Sequence, residues 1–205
     1  RVKDHVGSTL ALHATTDRAE PLPGAAYVLT AVSTHRYELW EQDFRVPLAH
    51  GVKHVLGENG GPGALFHALR SLEIVIPICR DIERICPDAL LLNFTNPEAR
   101  VLHAISHLTS VRAVGLCHGV CSAIDWCARA LDISPDDIEV TSAGMNHFYC
   151  LLNVMDRATG TDRIDEVLAC ARRGGPPDAP PLFRKLAEVF GVVTFPSDDH
   201  IGEYV

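Results

Sequence analysis

The sequence predicts an α/β protein in which a parallel sheet is followed by an α+β region. Short apolar runs at residues 89–92 and 113–116 each lead into a polar turn and then into apolar residues at helical spacing. This pattern predicts two successive strand-turn-helix units. The runs at 138–142 and 148–154 instead follow one another without a helix between them, so the regular alternation of strand and helix ends there.

Length and the change of pattern together indicate two domains. The chain has 205 residues and is 47% hydrophobic, which is enough to bury a full core. The alternation stops near residues 140–147. We therefore predict one domain at 1–140 and a second at 141–205.

Charge and cysteine content limit the partners and the compartment. The formal charge is −8 and the chain contains no run of Lys or Arg, so we expect no nucleic-acid partner, because phosphate binding needs a basic face. The seven cysteines are odd in number and lie mostly in apolar patterns, as is typical of buried thiols in a reducing compartment. The sequence shows neither a signal peptide nor an apolar run of about 18 residues. We expect a cytoplasmic protein without membrane contact.

The first half of the chain is predicted element by element. Residues 1–10 look like the tail of a helix, and the strand at 24–32 has the high apolar content of a strand covered on both faces. Ser33 ends that strand and leads into a polar stretch at 34–40, a loop position where binding groups usually lie. The other elements predicted before residue 89 are a short strand at 13–16, a turn or helix capped by Asp17, a loop at 57–63 and a helix at 64–85 that Pro77 should kink.

Residues 57–63 contain four glycines and a proline. Such a stretch predicts a turn-rich loop that lets the backbone approach another group closely. A plain connection into the following helix is the alternative.

Polar residues follow both of the strands that lead into helices. Asn96 stands directly before Pro97, which predicts Asn96 as the N-cap and Pro97 as the first helical residue. Asn93 and Asn96 then lie near the carboxyl end of the strand, where open parallel sheets bind ligands. Cys117 and His118 fall at the corresponding end of the neighbouring strand.

The second half is predicted to contain two strands, a turn and two helices. The strands at 138–142 and 148–154 are joined by residues 143–147. The later elements are a turn at 156–160, a helix at 165–172, a projecting loop at 173–181 and a helix at 182–190.

Cys117 and His147 are candidate metal ligands by placement. They are thirty residues apart, which is not a metal-binding spacing in itself, but both stand at loop positions near a glycine where a strand ends. Burial in the core is the alternative for each of them. Three other thiols are explained better by packing, and an imidazole pair by a half-exposed helix face: Cys121, Cys127 and Cys170, and His103 and His107.

Several motifs, in order and at about the right separations, resemble glycoside hydrolase family 4. The motifs are Gly57-Glu-Asn-Gly-Gly-Pro-Gly63, Asn93-Phe-Thr-Asn-Pro97, Gly115-Leu-Cys-His118 and Gly144-Met-Asn-His147. This family contains NAD- and divalent-metal-dependent α-glucosidases and α-galactosidases, with uronidase and phospho-glycosidase relatives. The resemblance implies a fold of the lactate and malate dehydrogenase type, which is Rossmann-like.

The resemblance also implies a mechanism that differs from the usual pair of carboxylates. Bound NAD would oxidise the sugar C3 hydroxyl, which acidifies the proton on C2. A metal would stabilise the enediolate, a base would remove the C2 proton, and the C1–oxygen bond would break by elimination.

Site residues are carried over from the resemblance one at a time. Cys117 and His147 match the metal ligands and Asn96 matches the substrate-binding Asn, whereas Tyr204 is the candidate base and His118 a candidate general acid. Cys and His donors suit a softer divalent ion, and we expect manganese. For the cofactor, the residues at the strand ends are expected to contribute: Ser33 and Asn93.

His118 stands where phospho-glycosidase members tend to carry an acid, and the region 34–45 has few basic residues. We therefore expect a non-phosphorylated α-glycoside or uronide as the substrate. We also expect a homo-oligomer.

A dinucleotide site also needs a Gly-rich turn after the first strand. The resemblance places residues 13–16 at the third strand, so the first two strands would lie upstream of Arg1 and the rest of the substrate domain beyond Val205. We expect an internal fragment of a longer enzyme, one that by itself neither holds NAD well nor turns over.

Two other functions remain open. A 2-hydroxy acid dehydrogenase of the malate or lactate type would share the strand-Asn-Pro turn but would need no metal. A truncated, catalytically inactive relative is the third possibility. Metal dependence separates the glycosidase from the dehydrogenase.

Overall fold

A computed structural model describes residue 7 and residues 9–176 and 179–205. The helix tail predicted for 1–10 falls mostly outside these described residues. The predicted loop at 173–181 includes two positions, 177 and 178, that also lie outside them.

The first sheet is parallel, with the strand order β1-β2-β3. Its strands are β1 (Tyr27–Thr30), β2 (Leu90–Asn93) and β3 (Arg112–Gly115). Thr30, Asn93 and Gly115 are paired in register as the last residues of their strands. The three carboxyl ends therefore meet at one edge, which confirms the parallel, Rossmann-like sheet that the sequence predicts.

Four helices in the described part of the chain accompany the strands of this sheet, and two of them share its core. They are α1 (Arg36–Ala49), α2 (Gly61–Ile85), α3 (Glu98–Leu108) and α4 (Gly119–Leu131). Val75 and Ile82 of α2 pack with Leu91 of β2 and Ile105 of α3, and each of these side chains is fully buried. The apolar spacing of α2 and α3 is thus explained by the core that they form against the sheet.

Three local predictions are wrong. The stretch predicted as a loop at 34–40 begins helix α1, which escapes notice because only Asp43 and Pro47 of α1 are buried, so the helix has no apolar stripe. Residues 13–16 are exposed and pair with no strand among the described residues. The N-cap of α3 is Pro97 and not Asn96.

Asn96 has other partners, which accounts for the shifted helix start. Its Nδ2 donates to Glu58 Oε1 at 3.2 Å, and its carbonyl accepts from Ser71 Oγ at 2.6 Å. The Asn96–Pro97 peptide is cis. The Asn96 side chain therefore faces the glycine-rich loop rather than the first turn of α3.

The second sheet is antiparallel and follows the first. Its strands are β4 (Ile138–Met145), β5 (Phe148–Asp156), β6 (Thr161–Asp162) and β7 (Val193–Thr194). The helices after it are α5 (Ile164–Arg172), α6 (Pro181–Phe190) and α7 (Asp198–Ile201). This arrangement confirms the predicted change to an α+β region.

The second core forms around Trp126 of α4 and Phe183 of α6, whose rings meet edge to face at 4.8 Å. Helix α4 thus packs with the second sheet although it precedes residue 140. The boundary near 140–147 stays a prediction of the sequence.

Helix α2 meets the length and hydropathy of a membrane span, with a mean hydropathy of 1.2 over its most apolar 18-residue window. Of that window 39% is buried, and Val75 and Ile82 of the same helix lie in the core of the first sheet. Apolar side chains are also exposed on the first sheet, where Tyr27 and Leu29 of β1 are 69% and 59% exposed.

Candidate metal and substrate site

A thiol and an imidazole from separate sheets meet at the edge where the first sheet ends. Cys117 follows β3 by two residues, and His147 lies in the turn between β4 and β5. Cys117 Sγ is 3.5 Å from His147 Nε2, and the Gly119 N–H lies 3.4 Å from the same sulfur. The fold therefore brings together the two residues that the sequence singled out thirty positions apart.

The backbone of the turn is shaped to present His147. Residues 146 and 147 connect Met145 to its strand partner Phe148, and His147 has φ +64°, a left-handed conformation that side chains rarely adopt. Gly144 has φ +135°, and a Cβ there would lie 2.5 Å from the Phe148 carbonyl oxygen. A residue held in such a conformation is typical of functional sites.

The His147 ring is buried and neutral. It is 5% exposed, stacks on Phe195 at 5.3 Å and meets the His200 ring edge-on at 4.3 Å. Burial lowers the pKa of His147 to about 4, and the nearby imidazoles of His200 and His118 act in the same direction. The ring therefore keeps a lone pair at neutral pH.

The donor set fits a divalent ion. For zinc, bonds of about 2.3 Å to sulfur and about 2.0 Å to nitrogen at a near-tetrahedral angle separate the two donors by about 3.5 Å. That is the separation of Cys117 Sγ and His147 Nε2. Within the described part of the chain, no third His, Cys, Asp or Glu completes a group of three. Two protein donors leave other coordination positions to small ligands, as in catalytic rather than structural sites.

The glycine-rich loop, which leads into helix α2, approaches this pair from the other side. Asn59 Nδ2 lies 3.3 Å from His147 Nδ1. The Glu203 carboxylate accepts the backbone N–H of Glu58 at 2.7 Å and of Asn59 at 3.0 Å. A Cβ at Gly60 would lie 2.3 Å from the Glu203 carbonyl oxygen. The close approach predicted for this loop is thus an approach to the chain's own segment around residue 203.

A second cluster of polar side chains surrounds Asn96. Glu58 Oε1 accepts from Asn96 Nδ2 at 3.2 Å and from Arg36 Nη2 at 2.6 Å, while Arg36 Nη1 lies 3.4 Å from His67 Nε2. Burial lowers the pKa of His67, and the Arg36 charge acts in the same direction. Glu58 is 7% exposed, so this carboxylate links Arg36 to Asn96 in a largely dry environment.

The remaining candidates lie around the same edge. The Tyr204 hydroxyl donates to the Asn146 carbonyl at 3.4 Å, and its ring stacks on Phe148 at 5.3 Å. Burial raises the pKa of Tyr204, and the Arg100 charge opposes that rise. His118 is the exposed N-cap of α4.

The two residues expected at the cofactor differ in exposure. Ser33 is exposed just after β1. Asn93 is fully buried, and its amide is engaged internally: Oδ1 accepts from Thr30 Oγ1 at 2.9 Å, and Nδ2 donates to the Thr95 carbonyl at 3.1 Å. Asn93 therefore shapes the strand ends rather than presenting a free amide.

Sequence reasoning missed four residues of this region: Glu58, Asn59, Glu98 and Glu203. The first two stand inside the glycine-rich motif, which was the available signal. Glu98 is 6% exposed at the start of α3, and burial raises its pKa. It lines a cavity of about 230 Å³ together with Cys117 and Asn146. Its carboxyl occupies space that any side chain at Gly115 would need, since a Cβ there would lie 1.3 Å from Glu98 Oε1.

Two curated relatives match nearly the whole chain. An alpha-glucosidase of Erwinia rhapontici is 31% identical over 232 residues, covering 94% of this chain and 51% of that protein. An alpha-galactosidase of Bacillus subtilis (strain 168) is 31% identical over 205 residues, covering 99% of this chain and 47% of that protein. The chain spans about half the length of these relatives.

Solved structures share the fold. A 6-phospho-alpha-glucosidase from gut microorganisms, in complex with NAD and Mn2+, superposes with a TM-score of 0.76 at 23% identity, covering 93% of this chain and 46% of that one. A lactate dehydrogenase from Eimeria maxima superposes with a TM-score of 0.54 at 17% identity, covering 82% of this chain and 46% of that one. The predicted likeness to the lactate dehydrogenase fold is confirmed.

The family model that matches the chain is described as family 4 glycosyl hydrolase and covers residues 1–133. These residues include the glycine-rich loop, Asn96 and Cys117 and make up well over half of the chain. The chain therefore belongs to the family 4 glycosyl hydrolases.

Proposed function

We propose that this chain forms the metal and substrate side of a glycosidase that cleaves the O-glycosidic bond of an α-glycoside by NAD-dependent oxidation and elimination. The observation that carries the proposal is the 3.5 Å approach of Cys117 Sγ to His147 Nε2 at the carboxyl edge of the parallel sheet. Family membership and the names of the relatives, an alpha-glucosidase and an alpha-galactosidase, support it.

Each candidate residue has a role in this proposal. When bound, NAD supplies a hydride acceptor for the sugar C3 and a divalent ion supplies Lewis-acid stabilisation of the adjacent oxygen, with manganese as the expected ion. Cys117 and His147 hold the ion. Asn96 orients a sugar hydroxyl, and Ser33 and Asn93 shape the cofactor side of the strand ends.

Two residues handle protons. Tyr204 lies beside the His147 turn and removes the C2 proton, and His118, exposed at the start of α4, protonates the leaving oxygen. Burial raises the pKa of Tyr204, so the neutral phenol dominates at pH 7. Positive charge near the hydroxyl, such as that of Arg100, lowers the pKa and so increases the fraction of phenolate that can act as the base.

For the substrate we propose a non-phosphorylated α-glycoside or uronide. Arg36 is paired with Glu58 at 2.6 Å, and Arg70 is paired with Asp43. Both arginines line the small space below Ser33. Their charge is already matched by carboxylates, so they offer less to a sugar phosphate than unpaired arginines would.

We also propose a cytoplasmic homo-oligomer. All seven cysteines, which lie in the described part of the chain, are free thiols, and this supports a reducing compartment. Leu65, Phe66 and Leu69 on one stretch of α2 are 51–58% exposed, which supports an interface between copies. Sedimentation velocity of the purified chain tests the oligomer, and a single monomer peak would contradict it.

A metal titration tests the proposed function. We expect the chain to bind one Mn2+ ion, and Cys117→Ser and His147→Ala each to lose it, because each removes one of the two protein donors. Cys121→Ser and His103→Ala are matched controls at exposed positions and should bind as wild type does. Mn2+ binding that is equal in all five proteins would remove the metal site and, with it, this function for the chain.

A further inference from the structure

Asn59 is a buried amide that the proposed mechanism does not use. Its side chain is 2% exposed, and Nδ2 lies 3.3 Å from His147 Nδ1. At the other end of the amide, Oδ1 is buried and has no hydrogen-bond partner among the described residues. An unpaired buried oxygen is costly and therefore calls for an explanation.

With the amide in the orientation that the structure gives it, this contact favours one position for the proton of His147. An imidazole nitrogen that accepts a hydrogen bond is unprotonated, so with Asn59 Nδ2 donating to Nδ1, the proton of the neutral ring is on Nε2. The Nε2–H then faces Cys117 Sγ at 3.5 Å. In this arrangement Nε2 has no lone pair to give to an ion.

Holding an ion through Nε2 requires the other tautomer. Nδ1 then carries the proton, and its N–H would face the N–H groups of Asn59 Nδ2. Rotating the Asn59 amide by half a turn removes this conflict, because the oxygen and the NH2 group have nearly the same size. Oδ1 would then accept the Nδ1–H and gain the partner that it lacks, and the NH2 group would move to the position that Oδ1 occupies now.

We propose that Asn59 is a positioning residue whose amide selects the tautomer of His147. Nδ2 donates to Nδ1 when Nε2–H faces Cys117, and Oδ1 accepts from Nδ1–H when Nε2 holds the ion. One proton leaves Nε2 and one arrives at Nδ1, so the ring stays neutral. The proposal rests on the proposed metal site and adds to it a partner from the other domain.

Neighbouring contacts fix the positions of Asn59 and of the His147 ring. The Glu203 carboxylate binds the Asn59 backbone N–H, with both oxygens at 3.0 Å. Gly60 lets the Glu203 backbone pass within a distance that no side chain would allow. Phe195 stacks on the His147 ring. A metal-bound His whose second nitrogen is held in this way is oriented better, and loss of such a partner typically costs about 10–100-fold in metal affinity.

The tautomer can be observed directly in the wild-type chain. Long-range 1H–15N correlation spectra, with His147→Ala to assign the signal, distinguish a proton on Nδ1 from one on Nε2. We expect Nε2–H without metal and Nδ1–H with Zn2+, which serves as a diamagnetic probe. A proton on Nδ1 in both states, or on Nε2 in both, would overturn the proposal.

The metal affinity of Asn59 variants tests the role of the amide independently. Asn59→Leu removes both the donor and the acceptor at nearly constant size and should weaken Zn2+ and Co2+ binding by about 10–100-fold. Asn59→Asp keeps an acceptor and should retain most of the affinity. Asn153→Leu is the matched control, because its Oδ1 accepts the Thr141 N–H at 3.1 Å within the second sheet.

The outcomes separate this proposal from the metal site itself. If Asn59→Leu binds as wild type while Cys117→Ser and His147→Ala lose the ion, the role of Asn59 is wrong and the site stands. If all of these variants bind as wild type, the metal site is wrong as well. If Asn59→Leu does not fold, the metal-free spectrum of Asn59→Asp decides: a carboxylate can only accept, so the proton should move to Nδ1, and a proton left on Nε2 would overturn the role of Asn59.

Discussion

Both carboxylate oxygens of Glu203 accept the backbone N–H of Asn59 at 3.0 Å. The two residues are 144 positions apart in the chain. One oxygen also accepts the neighbouring N–H of Glu58 at 2.7 Å. This contact joins the glycine-rich loop before α2 to the segment that follows α7. It sets the position of Asn59 against His147, and of Glu58 against Asn96.

Removing this carboxylate should loosen the site. We expect Glu203→Ala to lower the free energy of unfolding by about 1–3 kcal/mol, because it leaves two partly buried N–H groups without their charged acceptor. Urea denaturation measures the change, and Mn2+ affinity should fall with it. Glu139→Ala removes a carboxylate that is 61% exposed and should cost much less. Equal effects of the two substitutions would contradict a special role for Glu203.

The stability of the chain should depend on pH through His147. Its pKa is about 4 when folded, against 6.5 for an ordinary histidine, so the unfolded chain binds more protons between these values. Stability is therefore fully present above about pH 6.5 and falls by a few kcal/mol as the pH drops towards 4. His147→Gln should flatten this part of the profile, although His67, whose pKa is also lowered by burial, keeps some of it.

Thermal unfolding of wild type and His147→Gln from pH 4 to pH 7 measures this difference. His103→Gln, on an exposed face of α3, is the control and should keep the wild-type slope. A His147→Gln profile parallel to that of wild type would show that His147 is not buried in its neutral form.

The hairpin that carries His147 should tolerate no side chain at Gly144. We expect Gly144→Ala to cost at least about 2 kcal/mol, because it combines an unfavourable φ of +135° with a Cβ that would lie 2.5 Å from the Phe148 carbonyl oxygen. Gly160→Ala is the matched control, with φ +67° but open space around the Cβ, and should cost about 1 kcal/mol. Urea denaturation compares the two, and equal losses would rule out the steric contact.

The accuracy of the sequence-based predictions differs from one helix or strand to another, and the differences have physical reasons. The strands at 90–93 and 112–115 were found because both carry short apolar runs followed by helical spacing. Helix α1 was missed because its buried residues are only Asp43 and Pro47, so no apolar period marks it. The start of α3 was misplaced because the Asn96 side chain binds Glu58, a partner 38 positions away, instead of the helix end.

The sequence by itself determined the parallel sheet, the change to an antiparallel region and the family, because these depend on local periodicity and on motifs that are continuous in the chain. It also singled out Cys117 and His147 as candidates. Only the tertiary structure decided that these two donors lie 3.5 Å apart, that Asn59 holds the far side of the imidazole, and that Glu203 holds Asn59. These contacts join residues 30 to 144 positions apart. No local pattern encodes such pairs, since they form only when the two cores bring the loops of separate sheets to one edge.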